Sequence, residues 1–180
     1  PSGGDDAVAE AAQLLSNAKN PVILNGAGVV LSKGGIEASK QLAERLDAPV
    51  CVGYQHNDAF PGSHPLFAGP LGYNGSKAGM ELIKDADVVL CLGTRLNPFS
   101  TLPGYGMEYW PSDAKIIQVD INPDRIGLTK KVTVGIVGDA AKVAKAITAQ
   151  LTDDAGDAGR AERKNLIADT KSKWKQELSS

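Results

Sequence analysis

Apolar positions over residues 1–151 alternate between two spacings. Val8, Ala11, Ala12, Leu15 and Ala18 recur every three or four residues, which predicts an amphipathic helix capped by Asp5 or Asp6 and stopped by Asn20-Pro21. Val22-Ile23-Leu24 is instead a continuous apolar run closed by Asn25-Gly26-Ala27-Gly28, the pattern of a strand buried on both faces. Helical spacing returns with Ile36, Ser39, Leu42, Ala43 and Leu46, and a second run follows, Val50-Cys51-Val52-Gly53. A β-α-β unit is complete within about 32 residues, enough for the right-handed crossover that joins parallel strands.

The alternation continues. Tyr54 to Gly75 holds four glycines and three prolines and reads as a long loop, a length compact domains usually keep for function. A short helix over Ser76–Lys84, a third strand over Asp87–Leu92 and a second long loop over Thr94–Ser112 come next. The fourth strand is Lys115–Ile121 and the fifth Val132–Val137, after which Asp139 caps a helix carrying Val143, Ala144, Ile147 and Leu151. These elements predict an α/β fold, an open parallel sheet of five to six strands with helices on both faces. Every strand but the fourth is followed closely by glycine, and the fourth by Asn122-Pro123. The tight turns therefore gather at the carboxyl edge of the sheet, where open α/β sheets bind ligands.

After Leu151 the pattern changes to a polar, small-residue linker, 152–159, and then a final helix within 160–180. Leu166, Ile167, Thr170, Trp174 and Leu178 form a narrow apolar stripe on that helix, and its six basic and three acidic side chains read as a solvated face.

Composition narrows the function. With 180 residues, 42% hydrophobic, 22% charged and a net charge of −2, the chain is one globular domain, neither disordered nor collagen-like. No apolar run approaches the roughly 18–20 residues that span a bilayer, and the N-terminal stretch lacks the pattern of a signal peptide, so a cytoplasmic, soluble protein with no membrane partner is expected. Nothing in the charge suggests a nucleic-acid partner. Cys51 and Cys91 lie inside apolar runs and read as reduced core residues.

The candidate chemistry lies at the strand ends. Gly26-Ala27-Gly28 opens like a dinucleotide fingerprint, but the third glycine position is Leu31 and no acid closes the second strand, so a tight strand-to-helix turn is the better account of this motif alone. Arg95, in Gly93-Thr94-Arg95, can hold a phosphate bidentately or pair with a surface acid. Asp120 can accept ribose hydroxyls or close a turn with Asn122, and Gly138-Asp139-Ala140 offers free helix amides unless Asp139 caps them. His56, Asp58 and His64 lack metal-ligand spacing, and no Gly-x-Ser-x-Gly elbow occurs. Asp139 and Asn165 imitate a magnesium-diphosphate motif, but Ala140 replaces its second glycine and the linker separates the two.

Taken in order, Gly26-Ala27-Gly28, Gly69-Pro70-Leu71-Gly72, Asp87-Val88-Val89-Leu90, Gly93-Thr94-Arg95, Val119-Asp120-Ile121-Asn122-Pro123 and Gly138-Asp139 resemble the central domain of thiamine-diphosphate enzymes of the acetolactate synthase and pyruvate oxidase group, over residues 5–151. Within that group, residues 53–61, Gly72-Tyr73-Asn74-Gly75, residues 95–106 and the tail around Trp174 look like the acetyltransferase branch, whose members turn sulfoacetaldehyde and phosphate into acetyl phosphate and sulfite.

The resemblance implies a middle domain, inert by itself, whose partners are the N-terminal and C-terminal domains of a homo-oligomeric parent chain. Those domains would hold thiamine diphosphate and magnesium. It also implies an ADP or FAD site in this domain, carried by Gly26, Ala27, Gly28, Leu71, Gly72, Tyr73, Asn74, Gly93, Thr94, Arg95, Asp120, Ile121, Gly138, Asp139 and Ala140, with no catalytic or metal-binding residue here. Where flavin-binding members have two acids and an arginine after the strand-end arginine, this chain has Asn97, Pro98 and Phe99, which removes polar flavin contacts. The competing expectations are an FAD- or NAD-binding domain of an oxidoreductase, an acetolactate synthase-like carboligase, and a structural module with an empty pocket.

Overall fold

Six parallel strands form one open sheet in a computed structural model that describes residues 3–53, 56–72, 74–96 and 104–180. They are β1 (Pro21–Asn25), β2 (Val50–Val52), β3 (Phe67–Pro70), β4 (Val88–Leu92), β5 (Lys115–Asp120) and β6 (Val134–Val137), in spatial order β3-β2-β1-β4-β5-β6. The chain starts in the middle, runs out to β3, then returns across β1 to build the other half, so the strand order reverses between β1 and β4. Asn25 is in register with Leu92, and the turns that follow leave the sheet side by side at that switch point. Every residue of β1, β2 and β4 is buried, which is why their sequences are unbroken apolar runs. The edge strand β6 alternates buried and exposed positions.

The helices are α1 (Gly3–Asn17), α2 (Ala27–Leu31), α3 (Gly35–Leu46), α4 (Lys77–Lys84), α5 (Ala140–Gln150) and α6 (Arg160–Ser179). They cover both faces, with α5 packed on α1 and α3 in one layer and α4 packed on α6 in the other. Burial of Ala38, Leu42, Ala43 and Leu46 gives α3 its apolar face. Asn25, fully buried at the end of β1, donates from Nδ2 to Ser39 Oγ at 2.7 Å and to the Ala59 carbonyl at 3.0 Å. One amide thus ties the central strand to α3 and to the loop beyond β2.

Local differences from the sequence pattern have physical causes. Asp5 and Asp6 lie in the first turn of α1 rather than at its cap, where they face the positive helix end. The segment after Gly26 is two helices, because Gly34, at φ 75°, breaks the path between α2 and α3. β3 falls inside the expected loop; a four-residue strand containing Gly69 and ending in Pro70 has too little apolar pattern to show and is tolerated only at an edge.

Residues 152–159 are packed rather than free. Ala155 is fully buried, and the Thr152 and Gly156 amides both donate to Ser16, to its hydroxyl and its carbonyl respectively. On α6, Ile167 and Thr170 are buried, while Leu166 and Leu178 stay exposed. Arg163 departs most from expectation. Read as part of a solvated face, it is 2% exposed, and its guanidinium donates to the carbonyls of Lys19, Leu46, Asp47, Gly156 and Ala158. Beside it, Arg160 pairs with Asp47.

Candidate functional site at the carboxyl edge

The expected site residues gather beyond the ends of β1, β3, β4, β5 and β6, but the turns are closed in ways the sequence did not reveal. The Gly26 amide donates to the Leu92 carbonyl at 2.9 Å, Gly28 to Gly93 at 2.8 Å, and Gly93 to Val119 at 2.9 Å. These three amides are therefore satisfied within the protein and none is left for a phosphate. A Cβ on Gly28 would lie 2.6 Å from the Gly93 Cα, and one on Gly26 would lie 2.5 Å from the Thr94 Cβ. The glycines let two strand-end turns press backbone to backbone, so the space a ligand would use at this turn is filled by the chain. Ala27 opens the short α2 that follows.

Arg95 is exposed and forms no ion pair among the described residues. Thr94 is buried, and its hydroxyl accepts the Leu96 amide at 3.2 Å. A residue the motifs missed, Gln118, sets this region. It is buried in β5, donates from Nε2 to the Thr94 and Arg125 carbonyls at 3.2 Å each, and accepts the Gly127 amide at 2.9 Å. Its signal was one polar residue in an otherwise apolar strand, which demands buried partners. Asp120 is buried, and one of its oxygens accepts the Asn122 amide at 2.8 Å, closing the turn; Ile121 beside it is 73% exposed.

At the far side, the Gly138 amide donates to Asp120 and Ala140 is the buried first residue of α5. Of the two possibilities at the start of α5, Asp139 takes the cap: its Oδ2 accepts the Lys142 amide at 3.1 Å, and its Oδ1 accepts the Ser32 hydroxyl at 2.7 Å. Ser32 in turn accepts the Ala141 amide. The Ser32 hydrogen bond, joined by the Lys142 amide and the Lys142 charge, holds the Asp139 carboxyl below its ordinary pKa against the opposing effect of burial. A depressed folded-state pKa contributes stability that is complete above the unfolded carboxylate value, about 3.9, and is lost as pH falls through the folded value. Asp139→Ala is thus expected to cost about 1 kcal/mol in urea unfolding at neutral pH, with the gap from the parent narrowing at about pH 3. A gap that does not change with pH would refute the charged-cap assignment.

The turn after β3 is held from above. Leu71 is a core residue, and its amide donates to Val52. The Gly72 amide donates to the buried Tyr109 hydroxyl at 3.1 Å, and burial pushes that phenol up to about 12. Asn74 is exposed with φ 59°, and Tyr73 lies outside the described residues. β3 and β6 are five strand spacings apart, roughly 24 Å, so a ligand touching both Asn74 and Ala140 has to lie extended along the edge. Cys51 and Cys91 are fully buried, burial raises both thiols, and neither is poised as a nucleophile.

Residues 8–147 match the family model described as thiamine pyrophosphate enzyme, central domain. The chain belongs to this family. Sulfoacetaldehyde acetyltransferase from Roseovarius nubinhibens is 77% identical over 180 residues, which is 100% of this chain and 30% of that protein. A probable sulfoacetaldehyde acetyltransferase from Rhizobium meliloti is 72% identical with the same coverage. A probable acetolactate synthase large subunit from Methanocaldococcus jannaschii is 37% identical over 144 residues, 80% of this chain and 24% of that protein. The chain spans about 30% of the length of the acetyltransferases it matches.

Among the described residues no three His, Cys, Asp or Glu side chains converge as metal ligands, and both Asp139 oxygens are engaged with Ser32 and Lys142. Among those residues, too, no helix is long and apolar enough to cross a membrane.

Proposed function

We propose that this chain is the middle domain of a thiamine-diphosphate-dependent, cytoplasmic acetyltransferase that converts sulfoacetaldehyde and phosphate to acetyl phosphate and sulfite. The observation that carries this reading is 77% identity, across the whole chain, to a sulfoacetaldehyde acetyltransferase. On this reading the cofactor and its magnesium belong to the N-terminal and C-terminal domains of a homo-oligomeric parent, a placement supported by the match of this chain to the central domain of the family. The role of this domain is to hold those domains in position. The test is the full-length protein assayed for acetyl phosphate from sulfoacetaldehyde and phosphate, beside the 180-residue chain, which is expected to be inert. Product from pyruvate alone would favour the carboligase, and turnover by the short chain would overturn the domain assignment.

The same reading puts a nucleotide of the ADP class, rather than FAD, at this edge, supported by Asn97, Pro98 and Phe99 standing where flavin-binding members carry two acids and an arginine. With the Gly26–Gly28 turn closed and α5 capped, Arg95, Asp120 and the exposed Ile121, at and beyond the ends of the neighbouring strands β4 and β5, are its proposed contacts. Titration calorimetry with ADP and with FAD tests this. Arg95→Ala is expected to weaken ADP binding by about 1.5–3 kcal/mol, the worth of a charged hydrogen bond. Absence of heat with either ligand would leave the domain purely structural.

A further inference from the structure

β3 is an edge strand, and α6 runs beside it without closing against it, leaving a groove of about 480 Å³. Phe67, Ala68 and Pro70 form the strand wall, and Trp174 and Leu178 the helix wall. Leu178 is 66% exposed, and Phe67, Pro70 and Trp174 are half-buried. Among the described residues, the charged side chains lining the groove are Lys171 and Lys175, with no carboxylate. Proteins usually blunt an edge strand with charge or cover it completely. Here the cover is half built: the walls are apolar and the charge sits only on the helix rim.

The groove is also held open. Trp174 meets the Tyr105 ring edge-on at 5.5 Å, the Tyr105 hydroxyl donates to the Gly75 carbonyl at 2.9 Å, and Lys77 pairs with Glu177 at 3.2 Å. These contacts fix the last turns of α6 against the loops beyond β3 and before β5, so the helix wall cannot simply collapse onto the strand.

We propose that this groove seats a segment of the same polypeptide lying outside residues 1–180, one with an apolar ridge flanked by acidic side chains. The inference rests on the reading of this chain as part of a longer enzyme. The acetyltransferases it matches carry about 70% of their length beyond the matched region, since the match covers 30% of each. A second and third domain on one chain need surfaces on which to bury their own apolar side chains. The groove supplies such a surface, and Lys175, with Lys171 whose ammonium also donates to the His64 and Pro65 carbonyls, selects acidic neighbours for the incoming ridge.

Hydroxyl-radical footprinting of the full-length protein and of the 180-residue chain reads the side chains directly. Trp174 and Leu178 are expected to oxidise about fivefold more slowly in the full-length protein, as side chains withdrawn from water do. Leu178→Glu, at a position exposed in the short chain, is expected to restore Trp174 oxidation in the full-length protein and to change nothing in the short one. Equal oxidation in the two forms overturns the proposal. So does protection that appears in the short chain as its concentration rises, which would mean a second copy, or protection that needs an added small molecule. A full-length protein with the footprint but without acetyltransferase activity would sink the functional reading and leave this one standing.

Discussion

Replacing Arg163 with methionine is expected to lower the unfolding free energy by about 3–5 kcal/mol, because several carbonyls lose a charged donor at roughly 1–3 kcal/mol for each one left unsatisfied. The guanidinium has five N–H donors, and all five reach backbone carbonyls: Nε to Asp47 at 3.0 Å, Nη1 to Lys19 at 2.6 Å and Ala158 at 3.1 Å, and Nη2 to Leu46 at 2.7 Å and Gly156 at 2.5 Å. Those carbonyls close α3, the turn after α1 and the approach to α6, and they have few other donors within reach. Methionine fills much of the volume and returns none of the hydrogen bonds, so five acceptors, two of them in buried bonds and three part-buried, lose a charged donor at once. Lysine is not a rescue, since three donors on a flexible stem cannot match a planar fork of five. At about 2–4 °C per kcal/mol for a domain of this size, Arg163→Met should lower Tm by roughly 10 °C. Calorimetry of the variant decides it, and a fall of under about 1 kcal/mol, the range of a surface substitution, would return Arg163 to the solvated face that its sequence neighbours suggest.

Gly28→Ala and Gly93→Ala are expected to be the other severe changes, costing about 3 kcal/mol or more, the upper range for overpacking a tight contact. At Gly28 the added methyl meets the Gly93 Cα at 2.6 Å, and at Gly93 it meets the Gly28 Cα at 2.5 Å. Both obstacles are backbone, which cannot rotate aside as a side chain would. Gly93 also sits at φ 63°, which adds about 1–2 kcal/mol of left-handed strain for any residue with a Cβ. Separating the turns would break the 2.8 Å bond from the Gly28 amide to the Gly93 carbonyl and disturb the switch point of the sheet. Gly62→Ala is the control, because nothing lies within 4 Å of its added methyl. Urea unfolding of the three variants without any nucleotide is the measurement. If Gly28→Ala is as stable as the parent, the glycine is not there for backbone packing, and close approach of a ligand becomes its explanation.

That contrast marks how far the sequence could be read. Strand-end glycines, the periodicities of α1, α3 and α5, and Asp139 as a cap were legible because each depends on neighbours within one turn or one strand. Strand β3 was not legible, since it owes its existence to hydrogen bonds from β2 and to the half-cover of α6 rather than to its own Phe-Ala-Gly-Pro. Ser32 was invisible as a site residue, because its partner Asp139 is 107 positions away. Gln118 was visible as an oddity, a polar side chain in a buried strand, but its acceptors Thr94 and Arg125 were not.

By itself, then, the sequence determined an α/β chain with a parallel sheet, its turns gathered at one edge, and a family kinship carried by the order of its short motifs. These are consequences of local spacing, which survives without knowledge of what touches what. Only the tertiary structure decided that Gly26, Gly28 and Gly93 serve one another, that Ser32 holds the Asp139 cap in place, and that Arg163 is the buried tie of the C-terminal segment. Each of these depends on the satisfaction of buried polar groups, a condition set by which distant backbone atoms arrive at the same place, and no pattern of adjacent residues encodes that arrival.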